Sequence, residues 1–88
     1  MTLWARVPEV LWREGLGTVV LLPPGASDPL RVSQSGALLW DLLAEPTTPN
    51  AVAAALGDLY DLQPAQIATE VTLALDELEG RGAVRRLP

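Results

Sequence analysis

Between Glu9 and Leu22 the chain is apolar in two short bursts, EVLWRE and TVVLL, separated by Gly15-Leu16-Gly17. Both bursts favour extended backbone, and glycine supplies the positive φ that a tight turn requires, so the pattern predicts two strands joined as a hairpin. The unbroken apolar run Thr18–Leu22 predicts a central strand, covered by helices on one face. Pro23-Pro24-Gly25 ends it, and a loop runs on to Pro29. Leu30-Arg31-Val32 then alternates apolar, charged, apolar. That alternation predicts a third strand with Leu30 and Val32 on one face and Arg31 on the other, completing an antiparallel meander.

Past Val32 the period changes from that of a strand to that of a helix. Ser33 and Ser35 each offer a hydroxyl to the free amides of a first turn. The helix expected over Gln34–Ala44 carries Ala37, Leu38, Trp40, Leu42 and Leu43, apolar on most of its surface and therefore central. Pro46 closes it. Thr47-Thr48-Pro49 supplies a cap and a proline at the first helical position, where its missing amide hydrogen does no harm. The second helix, Pro49 to about Tyr60, presents Val52, Leu56, Leu59 and Tyr60 on one stripe, with Ala51, Ala53, Ala54 and Ala55 permitting close approach. Pro64 opens a third helix that ends at Gly80-Arg81-Gly82. Around Val71, residues Ile67, Ala74, Leu75 and Leu78 fall within about 60° and form a buried stripe. Glu70, Glu77 and Arg81 lie along one flank of that stripe, and Ala68, Thr72 and Glu79 along the other. Leu73 points nearly opposite, so it is either exposed or used.

The two ends carry weaker patterns. Met1–Val7 is expected to be a loose, flexible arm stopped by Pro8, its Trp4 docked on the domain or on a partner. Ala83–Leu87 reads either as a short final strand or as a basic tail. One domain is then expected over residues 8–84, with a short tail at 85–88. The fold class is α+β: a three-stranded antiparallel sheet followed by a three-helix bundle, which is a winged helix-turn-helix arrangement.

Composition removes most of the chemistry. The 88 residues hold one modest core, 49% hydrophobic but with only three Trp, one Tyr and no Phe, so Leu, Val and Ala do the packing. Histidine and cysteine are both absent, which excludes disulfides, thiolate metal sites and the commonest acid–base group at neutral pH. No catalytic residues, metal ligands or cofactor site are therefore expected. A winged helix is often a DNA reader, and a DNA-binding transcriptional regulator is the alternative reading. The formal charge of −5 opposes it, because phosphate contacts need a basic face. The helix starts oppose it too, since Gln63, Gln66 and Glu70 precede any Arg on the third helix. The N-terminus lacks a signal-peptide core, and no run of about 18 apolar residues exists for a membrane span, so a soluble cytoplasmic protein is expected.

The order of these pieces resembles the PqqD-like family, the precursor-peptide recognition elements of ribosomal peptide modification pathways. The residues that carry the likeness are Val10-Leu11-Trp12-Arg13, Val19-Val20-Leu21-Leu22 and Leu30-Arg31-Val32-Ser33-Gln34-Ser35-Gly36-Ala37, leading to Leu39-Trp40-Asp41-Leu42-Leu43. Tyr60-Asp61-Leu62 and Leu75-Asp76-Glu77-Leu78-Glu79-Gly80-Arg81-Gly82-Ala83-Val84 follow, so the likeness spans about Val7 to Val84. The third strand departs from it, carrying Arg31 where relatives often have an aromatic or bulkier aliphatic residue.

The resemblance implies a non-catalytic adaptor that binds the leader of a precursor peptide. The leader adds as an antiparallel strand to the edge of the third strand and lies against the third helix. Mapped here, it implies pairing along Leu30, Arg31 and Val32, with Glu70, Ala74, Glu77, Leu78 and Arg81 as the opposite wall; the flank of Ala68, Thr72 and Glu79 is the alternative wall. Ala74 leaves room for an anchoring side chain, Leu78 is equally readable as core, and Glu77 with Arg81 as a surface pair. Trp12 and Trp40 are expected to pack in the core. The implied partners are the precursor peptide and a modifying enzyme such as a radical SAM enzyme, a cyclodehydratase or a leader protease, with no nucleic acid and no membrane.

Overall fold

The computed structural model describes residues 2–88 as five strands and three helices, an α+β arrangement. In chain order they are β1 (Leu3–Arg6), β2 (Leu11–Gly15), β3 (Thr18–Leu22), β4 (Leu30–Ser33), α1 (Ser35–Leu42), α2 (Pro49–Tyr60), α3 (Pro64–Gly80) and β5 (Val84–Leu87). Strands β2, β3 and β4 form the meander, in that spatial order and antiparallel throughout. Its hairpin turn is two residues long, with Leu16 at φ 54° and Gly17 at φ 77°. Two consecutive positive φ values give the turn whose twist matches that of the flanking strands. On β3 the apolar run resolves into two faces: Val19 and Leu21 are fully buried, whereas Val20 and Leu22 are half-buried on the outer face.

The chain ends correct the sequence-based expectation. Leu3–Arg6 is a strand and not a loose arm, and Val84–Leu87 is its antiparallel partner, which decides for the final strand over the basic tail. Met1 lies outside the described residues. Trp4 is 4% exposed, and its amide and carbonyl exchange hydrogen bonds with Thr47 at 2.7 and 2.9 Å. The guanidinium of Arg86, directly across the ribbon, sits 4.7 Å from the Trp4 ring centroid. The same guanidinium reaches back to α3, 3.2 Å from Asp76 and 3.3 Å from Glu79. Arg6 anchors the other end of β1: its Nε and Nη2 both donate to the Trp40 carbonyl, at 3.0 and 2.6 Å. Its guanidinium lies 4.4 Å from the Trp40 ring and 4.9 Å from the Trp12 ring. Partial burial lowers its affinity for its proton, and nearby Asp41 opposes that shift. The ribbon therefore brings a second sheet, so the described residues hold five strands, where a three-stranded sheet and an optional final strand were expected.

Helices α2 and α3 start where proline put them. Thr48 Oγ1 accepts from the Ala51 amide at 3.1 Å, and Gln66 Oε1 accepts from the Gln63 amide at 2.8 Å, satisfying donors that a first turn leaves free. The stripe Ile67, Val71, Leu75 and Leu78 is buried as its spacing predicts. On α2 the stripe shifts: Val52, Ala53, Leu56 and Gly57 are buried, while Leu59 and Tyr60 are exposed. The cause is the turn into α3, which folds over Gly57 so closely that a Cβ there would lie 2.7 Å from the Leu62 carbonyl oxygen. Trp40 stands fully buried at the centre with Leu21, Leu43, Leu75, Val19, Val52 and Val84. Trp12 was expected in that core, but it lies on the edge strand β2, 45% exposed, touching Trp40 edge to face with ring centroids 6.0 Å apart.

Candidate functional site

Among the described residues, strand β4 has a neighbour on one side only. Which of its backbone groups are free follows from the hairpin register. A two-residue turn makes its flanking pair, Gly15 and Thr18, a hydrogen-bonded pair. Alternation then turns the amides and carbonyls of Val19 and Leu21 toward β4, where they meet Val32 and Leu30. The N–H and C=O of Arg31 and Ser33 therefore point away from the sheet, along its open margin. Side chains alternate independently of this. Leu30 and Val32 pack inward against the core, and Arg31 and Ser33 are exposed on the outer face.

The junction that follows β4 is tight. Gln34 adopts φ 53° and ψ −121°, a conformation costly for a residue with a side chain, and it caps α1 without a side-chain hydrogen bond. The expected caps, Ser33 and Ser35, are not used in that way: Ser33 ends β4 and Ser35 already opens the helix. Gly36 accommodates the close approach, since a Cβ there would lie 3.2 Å from Val32 Cβ. The first turn of α1 is thereby pulled against the end of β4, opposite the middle of α3.

Between this junction and α3 lies a hollow of about 320 Å³. Its walls come from Gln34, Ser35 and Gly36 on one side and from Glu70, Val71 and Ala74 on the other, over a floor that includes Leu39, Leu56 and Ile67. A second hollow, of about 390 Å³, opens at the other end of β4 between Leu30, Asp28, Gly80 and Arg81. Strand and helix thus run in opposite directions, with a depression at each end of β4. The opposite flank of α3 is closed, because Arg86 of β5 holds Glu79 and Asp76 there.

The residues singled out from the sequence divide into four groups. Leu30, Arg31 and Val32 form the open strand, and Glu70 and Ala74 line the first hollow. Arg81 lines the second hollow, and Glu77 stands exposed beside it with their charged atoms 3.7 Å apart. Leu78 belongs to the core cluster and to neither hollow. Missing from the sequence reading were Gln34, Ser35, Gly36, Leu56, Tyr60 and Leu62, which reach the first hollow from α1, α2 and the connections beside them. The exposed apolar residues Tyr60 and Leu62 were the available signal, since α2 turns them toward this end of α3 instead of into the core.

Among the described residues no group of acidic side chains is placed to hold a metal ion, and no helix is long and apolar enough to cross a membrane. The arrangement offers hydrogen-bonding backbone along one edge, with a largely apolar hollow at one end of β4 and a mixed polar and apolar one at the other.

Residues 18–84 match the family model described as coenzyme PQQ synthesis protein D, PqqD. The fold is similar to the solution NMR structure of the PqqD truncation of Methylobacterium extorquens PqqCD, with a TM-score of 0.78 at 22% identity, over 96% of this chain and 89% of that one. That truncation is described as a functional, stand-alone recognition element for ribosomally synthesized and post-translationally modified peptides. No curated protein matches the chain.

Proposed function

The chain belongs to the PqqD family, and from that membership we propose that it is a non-catalytic adaptor which binds the leader of a ribosomally made precursor peptide and presents it to a modifying enzyme. The enzyme is of the radical SAM, cyclodehydratase or leader-protease kind. The leader adds as an antiparallel strand to β4, with side chains pointing inward against α3. One observation carries the reading: the outward N–H and C=O groups of Arg31 and Ser33 lie beside an apolar hollow that Ala74 leaves open. Unpaired strand edges of this kind are templates for an added strand. The occupied flank at Glu79 favours the Ala74 side as the groove.

The energetics suit a flexible guest. Each main-chain hydrogen bond contributes about 0.5–1.5 kcal/mol net, and apolar side chains buried in the hollows add about 25 cal/mol per Å². Ordering the leader costs about 2–5 kcal/mol, which leaves binding between low-micromolar and nanomolar. No histidine or cysteine is present to perform a reaction on the bound chain, and the net charge of −5 disfavours the winged-helix DNA reader.

The test is Arg31→Pro. Proline removes the outward amide and leaves the two inward residues in place, so the fold is retained while binding weakens. Calorimetric titration with the leader encoded beside the gene measures this directly. Unchanged affinity in a folded variant refutes strand addition at β4.

A further inference from the structure

Strand addition to β4 constrains which peptide enters, and the constraint comes from the outer face of the sheet. Register places Arg13, Val20 and Arg31 in one row across β2, β3 and β4. Both arginines are exposed, and neither forms an ion pair among the described residues. The other members of this face, Leu11, Leu22, Thr18 and Ser33, are uncharged, because Glu14 lies across from Val19 and so belongs to the inner face. In a chain of net charge −5, this row is a local excess of positive charge with no internal partner.

An added antiparallel strand lengthens every such row by one residue. The guest residue opposite Arg31 shares the outer face with it, at a Cβ separation of about 4.5–5.5 Å. The residues before and after it point inward, toward the depressions beside Val71, Ala74 and Leu30. We infer that the peptide accepted by this edge carries an acidic side chain opposite Arg31 with an apolar residue on either side. The inference rests on the strand-addition reading and names the class of sequence that the edge selects.

Cross-strand pairs of opposite charge are worth enough for glutamate to be preferred over glutamine by about 2- to 5-fold. Like charges directly opposite oppose pairing, so lysine falls below glutamate by about tenfold at low ionic strength.

A display library of random peptides, selected on the full chain, tests this without a known ligand. Selection on wild type enriches Asp or Glu between two apolar residues. Selection on Arg31→Glu shifts that central position to Lys or Arg and keeps the apolar flanks. The best wild-type peptide, resynthesised with Glu, Gln or Lys at the central position, binds in that order in fluorescence anisotropy, a readout that needs no variant of the protein. If enriched peptides lose binding to Arg31→Pro yet show no acidic position, or one unmoved by Arg31→Glu, the charge inference falls and strand addition stands. If no peptide enriches, or the enriched ones bind Arg31→Pro like wild type, strand addition falls and takes this inference with it.

Discussion

Replacing Arg6 with methionine tests whether the N-terminal strand is a structural part of the domain. The side chain makes two charge-assisted bonds to one carbonyl oxygen, at 3.0 and 2.6 Å, in the last turn of α1. Bonds to a charged group contribute about 1.5–3 kcal/mol. Its guanidinium also lies against two indole rings, 4.4 and 4.9 Å from their centroids, which adds about 0.5–2 kcal/mol. These contacts share one side chain, so they do not sum independently, and partial exposure screens the ionic part. Methionine keeps the apolar stem and recovers the desolvation cost of the charge, leaving a net loss of about 2–4 kcal/mol. In a domain of this size that lowers Tm by about 10–25 °C. Urea unfolding followed by tryptophan fluorescence measures it, because Trp12 and Trp40 both flank the substituted group. Arg6→Lys retains the charge but not the flat fork between the rings, so it recovers less than half of the loss. A loss below about 0.5 kcal/mol with an unchanged m value refutes the reasoning, since Arg6 would then add little to what Trp4 and the ladder already supply.

The remaining predictions concern the groove and the packing. Ala74→Trp fills the first hollow from a half-buried position; leader affinity falls by about tenfold or more in titration while circular dichroism stays native, and normal binding by the folded variant excludes that flank. Gly57→Ala drives a Cβ to 2.7 Å from a backbone oxygen and costs about 1–3 kcal/mol, whereas Gly80→Ala, with open space around it, stabilises by about 0.4–1 kcal/mol; thermal melts separate the two. Trp40 Nε1 is buried without a hydrogen-bond partner, so Trp40→Phe relieves an unsatisfied donor while losing volume and stays within about 1 kcal/mol of wild type, against about 3–5 kcal/mol for Trp40→Ala. A loss above about 2 kcal/mol for the phenylalanine variant, measured by urea titration, shows instead that the indole N–H is satisfied.

Local chemistry made much of the fold readable. Pro49 and Pro64 mark helix starts because proline suits only the first turn, and both helices begin there. The stripe on α3 and the meander follow from periods of 3.6 and 2, which need no tertiary information. The β1–β5 ribbon is different in kind. Leu3 pairs with Leu87, and no turn chemistry announces a contact between the two ends of a chain. Its only local hints were Trp4 and the apolar Val84, whose burial depends on finding each other. The same holds for the cap of α1, where backbone strain at Gln34 displaced two serines that had the right chemistry. On α3 the helical wheel placed Ala74 within the buried stripe and Glu70 beside it, but left open which flank faces the hollow beside β4. Tyr60 and Leu62 were not legible, because their position depends on how sharply α2 folds back over Gly57.

Pairing Leu3 with Leu87 makes the polypeptide almost a ring. Leu3 and Leu87 lie side by side on the ribbon whose Arg86 pairs with one flank of α3, and neither lines the Ala74 hollow. A catalytic domain spliced to either end, or the whole unit inserted into a loop of a larger enzyme, would hang from a single hinge and leave the mouth of the groove clear.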